Sequence, residues 1–284
     1  MKLGIFSPEI SASTVAELFR KTKEYGFSQM QFDYASVDKE EMPSIITDSL
    51  NKEIANEAAR NKIEIVAING TFNMSHPEPA VRQDGIVRFK EIASSCGILG
   101  CKLVTLCTGT RTRENMWVPH PDNNTPEAWK DMTGVMEQLI LIGDKYNINL
   151  GIETEASNVI NTPQKAKKLI EELKSPRLKI ILDAANLFQE GMAKRGKVQQ
   201  VISEAFELLG SWIVLAHAKD IKEGNGIDFT GAGKGIIDFN FFLKELEKIG
   251  YKNGMILHGI KEEKDIPSCV KYMKKIEVAF SSFG

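Results

Sequence analysis

The chain has 284 residues, 42% of them hydrophobic and 26% charged, a soluble globular composition at a length that one α/β barrel can occupy. Its 36 Lys and Arg nearly match 38 Asp and Glu, for a net charge of −2, so no general positive field exists to hold nucleic acid. No apolar stretch precedes Pro8, no later run approaches a membrane span, and Cys96, Cys101, Cys107 and Cys269 form no C-x-x-C pair, which points to a cytoplasmic protein with free buried thiols.

Strands alternate with helices from end to end. The pattern predicts strands over residues 2–6, 28–32, 64–68, 102–106, 148–153, 178–183, 212–220 and 254–258. The helices between and after them fall near residues 13–25, 43–61, 80–99, from about 125, 163–174, 198–209, 238–249 and 266–276. In the second helix Ile45, Ile46, Ile54 and Ala58 form the expected apolar stripe. Strict alternation demands parallel strands with right-handed crossovers, and eight βα units favour a closed (β/α)8 TIM barrel over an open sheet. No linker, low-complexity tract or repeat interrupts the chain, so a single domain is expected across residues 1–284.

Loops after the third and fourth strands are too rich in side-chain chemistry to be plain connections. Residues 69–77 and 107–124 combine Asn, Thr, Arg and His with Phe72 and Trp117, a mixture suited to a small polyhydroxylated ligand. His76 and Arg111 are the two residues there expected to touch substrate, while Asp122, Asn123 and Asn124 suit turns and caps. Cys107, at a strand end, is a pocket-lining candidate.

The four C-terminal strands share one grammar. Each is an apolar run ending in a single ionisable group: Glu153, Asp183, His217 and His258, at successive intervals of 30, 34 and 41 residues. Each interval is about one βα unit, which takes roughly 30 or more residues, and in a barrel the strand ends converge at one mouth. Alternation puts Ile213, Leu215, His217 and Lys219 on one face of their strand. Any one of the four ionisable groups can be structural, but together they look like a metal site. The glycine-rich residues 224–235 lack a Walker arrangement and read as a mobile loop near the pocket, with Asp238 capping the next helix and Lys234 available to an anionic substituent.

The succession LGIE, ILDAANLF, HAKD and GYKNGMILHGIKEEKDIP, with TFNMSHP and TLCTGTR earlier, resembles the xylose isomerase-like barrel superfamily of sugar and sugar-phosphate isomerases and epimerases over essentially the whole chain. The resemblance implies a divalent cation (Mn, Zn, Co or Mg) held by Glu153, Asp183 and His217. In the sugar epimerases the strand-eight position is usually a glutamate that binds metal and moves protons; here it is His258, which favours softer ions than Mg. The implied chemistry is abstraction of a proton next to a carbonyl through a metal-stabilised enediolate, with Glu153 as base and His258 as second proton carrier. Glu155 is held in reserve. Asn186 and Lys219 join His76 and Arg111 as expected substrate contacts, although Lys219 equally suits a salt bridge with a neighbouring carboxylate. The partner is then a small sugar or polyol, with no nucleic acid and no membrane; homo-oligomerisation stays open. Three competing readings are a polyol dehydratase using the same residues, a metal-free sugar-binding protein, and an abasic-site endonuclease. The last is disfavoured by a net negative chain with only four histidines.

Overall fold

A computed structural model describes residues 1–281, with side chains through Glu277. Eight parallel strands, β1 (Leu3–Phe6), β2 (Gln29–Phe32), β3 (Glu64–Asn69), β4 (Leu103–Leu106), β5 (Asn149–Glu153), β6 (Leu178–Asp183), β7 (Ile213–Ile221) and β9 (Met255–Leu257), close on themselves. Closure is complete because β9 pairs with both β7 and β1, and β6 pairs with β7. The eight helices α1 (Val15–Glu24), α2 (Asp48–Asn61), α3 (Pro79–Leu99), α4 (Pro126–Tyr146), α5 (Pro163–Leu173), α6 (Val198–Leu209), α7 (Phe239–Lys248) and α8 (Ile266–Ser281) surround the barrel as a (β/α)8 fold. No helix among the described residues is long and apolar enough to cross a membrane.

Local chemistry sets the helix ends. The side chains of Thr14, Thr47, Thr125, Thr162 and Asp238 each accept a backbone N–H of the first turn, so five helices begin where an N-cap stands. Thr47 explains one correction. The helix expected from residue 43 begins at Asp48, because Thr47 Oγ1 accepts from Leu50 N, and Ile45 is left outside the stripe and 77% exposed.

Apolar side chains fill two regions: the large layer between barrel and helices, and a plug of Ala67, Leu103, Ile181, Leu215 and Ile256 inside the barrel. Leu215 belongs to that plug, as the parity expected for the strand requires, but Ile213, expected on the same face, packs in the outer layer because the register of β6 against β7 shifts between Ile213 and Leu215. Gly151 lies two residues before Glu153 on the same face, and a Cβ there would meet Ile181 Cδ1 at 2.5 Å. The plug thus reaches up to the floor beneath Glu153 only because that position has no side chain.

A ninth strand, β8 (Phe229–Gly231), pairs antiparallel with β7 inside the glycine-rich segment that the sequence reads as a loop. Asp220 is the reason. Its Oδ1 accepts from Ile221 N and Ile237 N, both at 2.9 Å, and its Oδ2 accepts from Gly233 N at 3.0 Å and Gly235 N at 2.9 Å. One buried carboxylate therefore draws the segment back onto β7.

Candidate metal centre and the cavity above it

Glu153 and Asp183 end β5 and β6, His217 lies in the middle of β7 and His258 follows β9, and each offers a ligand atom within 4.8 Å of all the others. Three atoms at the centre, Asp183 Oδ2, His217 Nδ1 and His258 Nδ1, are buried with no hydrogen bond. Buried polar atoms are rarely left this way, and the donor set of two carboxylates and two imidazoles suits a divalent ion.

The surrounding bonds show which atoms are free for that purpose. Asp183 Oδ1 accepts from Ala185 N at 2.9 Å, which turns Oδ2 toward His217 Nδ1 at 3.3 Å and His258 Nδ1 at 3.8 Å. Asn186 Nδ2 donates to Glu153 Oε1 at 2.6 Å, with that oxygen 3.5 Å from His217 Nδ1. His217 Nε2 lies 2.8 Å from Gln31 Oε1, while Gln31 Nε2 donates to Thr105 Oγ1 at 3.4 Å. An amide oxygen can only accept, so Nε2 carries the proton and the Nδ1 lone pair faces both carboxylates. The ring of His258 stands edge-on to Phe6 and to His217, with centroids 4.9 and 5.3 Å apart.

Burial opposes charge at each of these groups, and the opposite charges at closest range decide the outcome. His217 is raised to about 9 by Glu153 and Asp183 in spite of its burial. Burial would raise Asp183 and Glu153 as well, but Lys219 and His217 hold Asp183 well below the usual carboxylate range and lower Glu153. At His258 burial prevails and the pKa falls. Glu155, buried nearby, is raised by burial, with Lys219 acting against the shift. A proton or a metal ion on His217 Nδ1 answers the same field.

Above the centre opens a cavity of about 780 Å³. Glu153, Glu155, Lys219 and His258 line its floor side, Gln31, Asn69, Thr71 and Thr105 supply hydroxyls and amides, and Phe6, Trp117 and Phe229 supply ring faces. Lys219 Nζ sits 3.3 Å from Asp183 Oδ2 and 4.2 Å above the Phe229 ring, so it both forms the expected salt bridge and borders the cavity. Its pKa is raised because the surrounding carboxylates outweigh burial. Gly259, at φ +74°, makes this course open to it, since a Cβ there would lie 2.6 Å from Lys219 Cγ.

Three of the four expected substrate contacts do not line the cavity. His76 does not line the cavity: its Nε2 donates to Arg113 O at 3.1 Å and its Nδ1 accepts from Glu78 N at 3.1 Å, so both ring nitrogens hold the loop together. Arg111 is likewise directed elsewhere, donating to Ser75 O at 3.1 Å and pairing with Asp131 at 2.6 Å. Asn186 is buried at the centre and meets Glu153 instead of the cavity. Lys234 pairs with Asp265 at 2.5 Å. Cys107 does line the cavity, its thiol pushed up by burial.

Sequence reading passed over Gln31, Glu41 and Phe229 as cavity residues. A signal for Gln31 was present: in β2, Gln29 and Gln31 share one parity while Met30 and Phe32 share the other, which places amides on the barrel interior. Glu41 reaches the cavity from a loop, and Phe229 from the short strand β8, whose pairing with β7 no periodicity encodes.

Comparison with known proteins gives a consistent picture. The profile described as xylose isomerase-like TIM barrel matches residues 19–276. Among solved structures, a D-tagatose 3-epimerase-like protein aligns with TM-score 0.78 and 18% identity, over 99% of both chains. The 3-keto-D-glucoside 4-epimerase YcjR of E. coli aligns at 0.74 and 16%, over 98% of this chain and 99% of that one. The IOLI protein, solved with a binding zinc atom, aligns at 0.73 and 18%, over 99% and 98%. A search of curated proteins found no match.

Proposed function

The chain belongs to the xylose isomerase-like TIM barrel family, and from that premise we propose that it is a divalent-metal-dependent isomerase or epimerase of a sugar. The observation that carries the reading is the cluster of Glu153, Asp183, His217 and His258, in which three buried atoms make no hydrogen bond, beneath a polar cavity.

Bound by these four residues, a divalent ion supplies Lewis acidity that makes the carbon next to a substrate carbonyl acidic enough to lose a proton. Glu153 takes that proton. It lines the cavity, the Lys219 ammonium helps to keep it ionised against its burial, and Asn186 fixes its orientation. His258 is the second proton carrier, a neutral imidazole at pH 7 because burial lowers its pKa. Glu155 also borders the cavity and, raised by burial, holds a proton closer to neutrality than an exposed glutamate does. Return of the proton to the neighbouring carbon gives isomerisation, and return to the opposite face gives epimerisation. Lys219 lies where its ammonium can meet a substrate oxygen. The aromatic faces of Phe6, Trp117 and Phe229 suit the carbon side of a sugar.

The test is incubation of the protein with Mn, Co, Zn or Mg in D2O and a panel of ketoses and aldoses, read by NMR. Expected are metal-dependent deuterium uptake next to the carbonyl and appearance of an isomer, both reduced at least ~100-fold by Glu153→Gln. Loss of water from a cyclic polyol, without either signal, would make the protein a dehydratase instead. Sugar binding with no metal and no turnover would reduce it to a binding protein.

A further inference from the structure

The charges around the cavity bear on a question that the metal centre leaves open, whether the substrate carries a charge. Resting on the reading of the cavity as a sugar site, we propose that it takes an uncharged polyhydroxylated substrate and turns away phosphorylated and carboxylated ones.

The lining holds four carboxyl groups, Glu41, Glu153, Glu155 and Glu190, against one ammonium, Lys219, and no arginine. Glu153 is committed to the centre, but Glu41 and Glu190, after β2 and after β6, line the cavity and stand exposed to solvent, where their charge meets an entering anion. Like charges at an approach lower the local concentration of an anion and slow its entry. Lys219 does not offset them. Its ammonium lies at the bottom, 3.3 Å from Asp183 Oδ2 and covered by the Phe229 ring.

Apart from the metal centre itself, three nearby features that could recognise an anion are already occupied. Arg111 pairs with Asp131 and Lys234 with Asp265, and neither lines the cavity. The glycine-rich turn after β8 gathers backbone N–H groups in the way that phosphate-binding turns do, but Asp220 fills it, accepting from Ile221, Gly233, Gly235 and Ile237. The protein has thus supplied its own anion to that turn. What faces the cavity instead are neutral partners for hydroxyls: Gln31, Asn69, Thr71, Thr105 and Gln189.

The test compares binding to the full-length, metal-loaded protein by saturation-transfer NMR and calorimetry. The probes are D-fructose, D-tagatose and D-glucose against D-fructose 6-phosphate, D-tagatose 6-phosphate and D-gluconate. Each neutral ligand is expected to bind at least tenfold tighter than its charged counterpart. In the double variant Glu41→Lys, Glu190→Lys the ratio should move at least tenfold toward the phosphates, and most of that movement should vanish in 0.5 M salt. A phosphorylated or carboxylated ligand that binds as tightly as its neutral counterpart overturns the assignment, and so does a ratio that the charge reversals leave in place. Preference for neutral ligands without isomer formation would uphold this assignment while removing the proposed activity. Turnover of a phosphate would do the reverse, and binding of neither class would remove both.

Discussion

His217 divides its two ring nitrogens between two tasks: Nε2 donates to Gln31 and Nδ1 faces Glu153 and Asp183. A proton at Nδ1 must leave before a metal can bind there, and the two carboxylates raise that proton's pKa to about 9 against the imidazole's burial. Apparent metal affinity should therefore climb about tenfold per pH unit from pH 7 toward 9 and then level off, with about one proton released per ion. Calorimetry in buffers of different ionisation enthalpy measures that proton. A pH-independent affinity over this range would show that Nδ1 is not a ligand. The pH dependence thus belongs to His217, whereas His258, lowered by burial, is already neutral at pH 7. His258→Gln should still weaken metal binding, while full occupancy with unchanged turnover would leave a three-residue centre. Gln31→Leu strips the acceptor from His217 Nε2 without touching a ligand atom. Loss of such a second-layer partner typically costs about 10–100-fold in metal affinity, and titration of the variant with Co at fixed pH will show whether it does here.

β7 carries His217 and Lys219 to the cavity and ends in Asp220, whose carboxylate organises the turn that follows. Burial raises the Asp220 pKa while four backbone N–H groups oppose the shift. Asp220→Asn replaces one accepting oxygen with an NH2 that would face donors, so it should lose about 1–3 kcal/mol. The loss should be local, with faster hydrogen exchange over residues 229–237 and a smaller change in β1 to β5. Uniform acceleration across the barrel would contradict the role given to Asp220. β5 shows the opposite strategy, a missing side chain. Gly151→Ala drives a Cβ to within 2.5 Å of Ile181 Cδ1 and 3.2 Å of Leu103 Cδ1. Overpacking of this kind costs about 1–3 kcal/mol, and a Glu153 displaced by it should bind metal more weakly; an unchanged melting temperature would show that the plug yields.

At the scale of the whole barrel, two carboxyls outside the centre, the buried Asp33 and the half-buried Glu9, tie stability to pH. Glu9 accepts from Gly259 N at 2.8 Å and is raised to about 7 by burial; Asp33 accepts from Asn69 Nδ2 at 2.7 Å and from Ala35 N and is raised to about 6 by burial. In both, the folded state holds the proton more tightly than the unfolded chain does. Their contribution is therefore complete below the unfolded values of about 4.5 and 3.8 and is lost as pH rises through about 7 and about 6. Glu9→Gln and Asp33→Asn should each flatten the fall in urea-unfolding stability between pH 5 and 7.5. Parallel curves for variants and parent would show that neither carboxyl holds its proton.

The alternation of apolar strands with capped amphipathic helices determined the barrel, because period and cap chemistry are local properties of the chain. The one-group-per-strand pattern of Glu153, Asp183, His217 and His258 was legible for the same reason: a strand end in a parallel barrel has one destination. The reading of residues 224–235 as a loop near the pocket held for Gly226 and Ile227, which line the cavity, but missed β8, because Asp220 acts across up to 17 residues of chain, beyond any local period. His76 and Arg111 were of the right chemical type in the right loops, yet the tertiary structure spent them on Arg113, Ser75 and Asp131. Sequence determines which groups reach the mouth of the barrel. Only the fold decides which of them still have a free atom there, since that depends on partners brought together from distant segments.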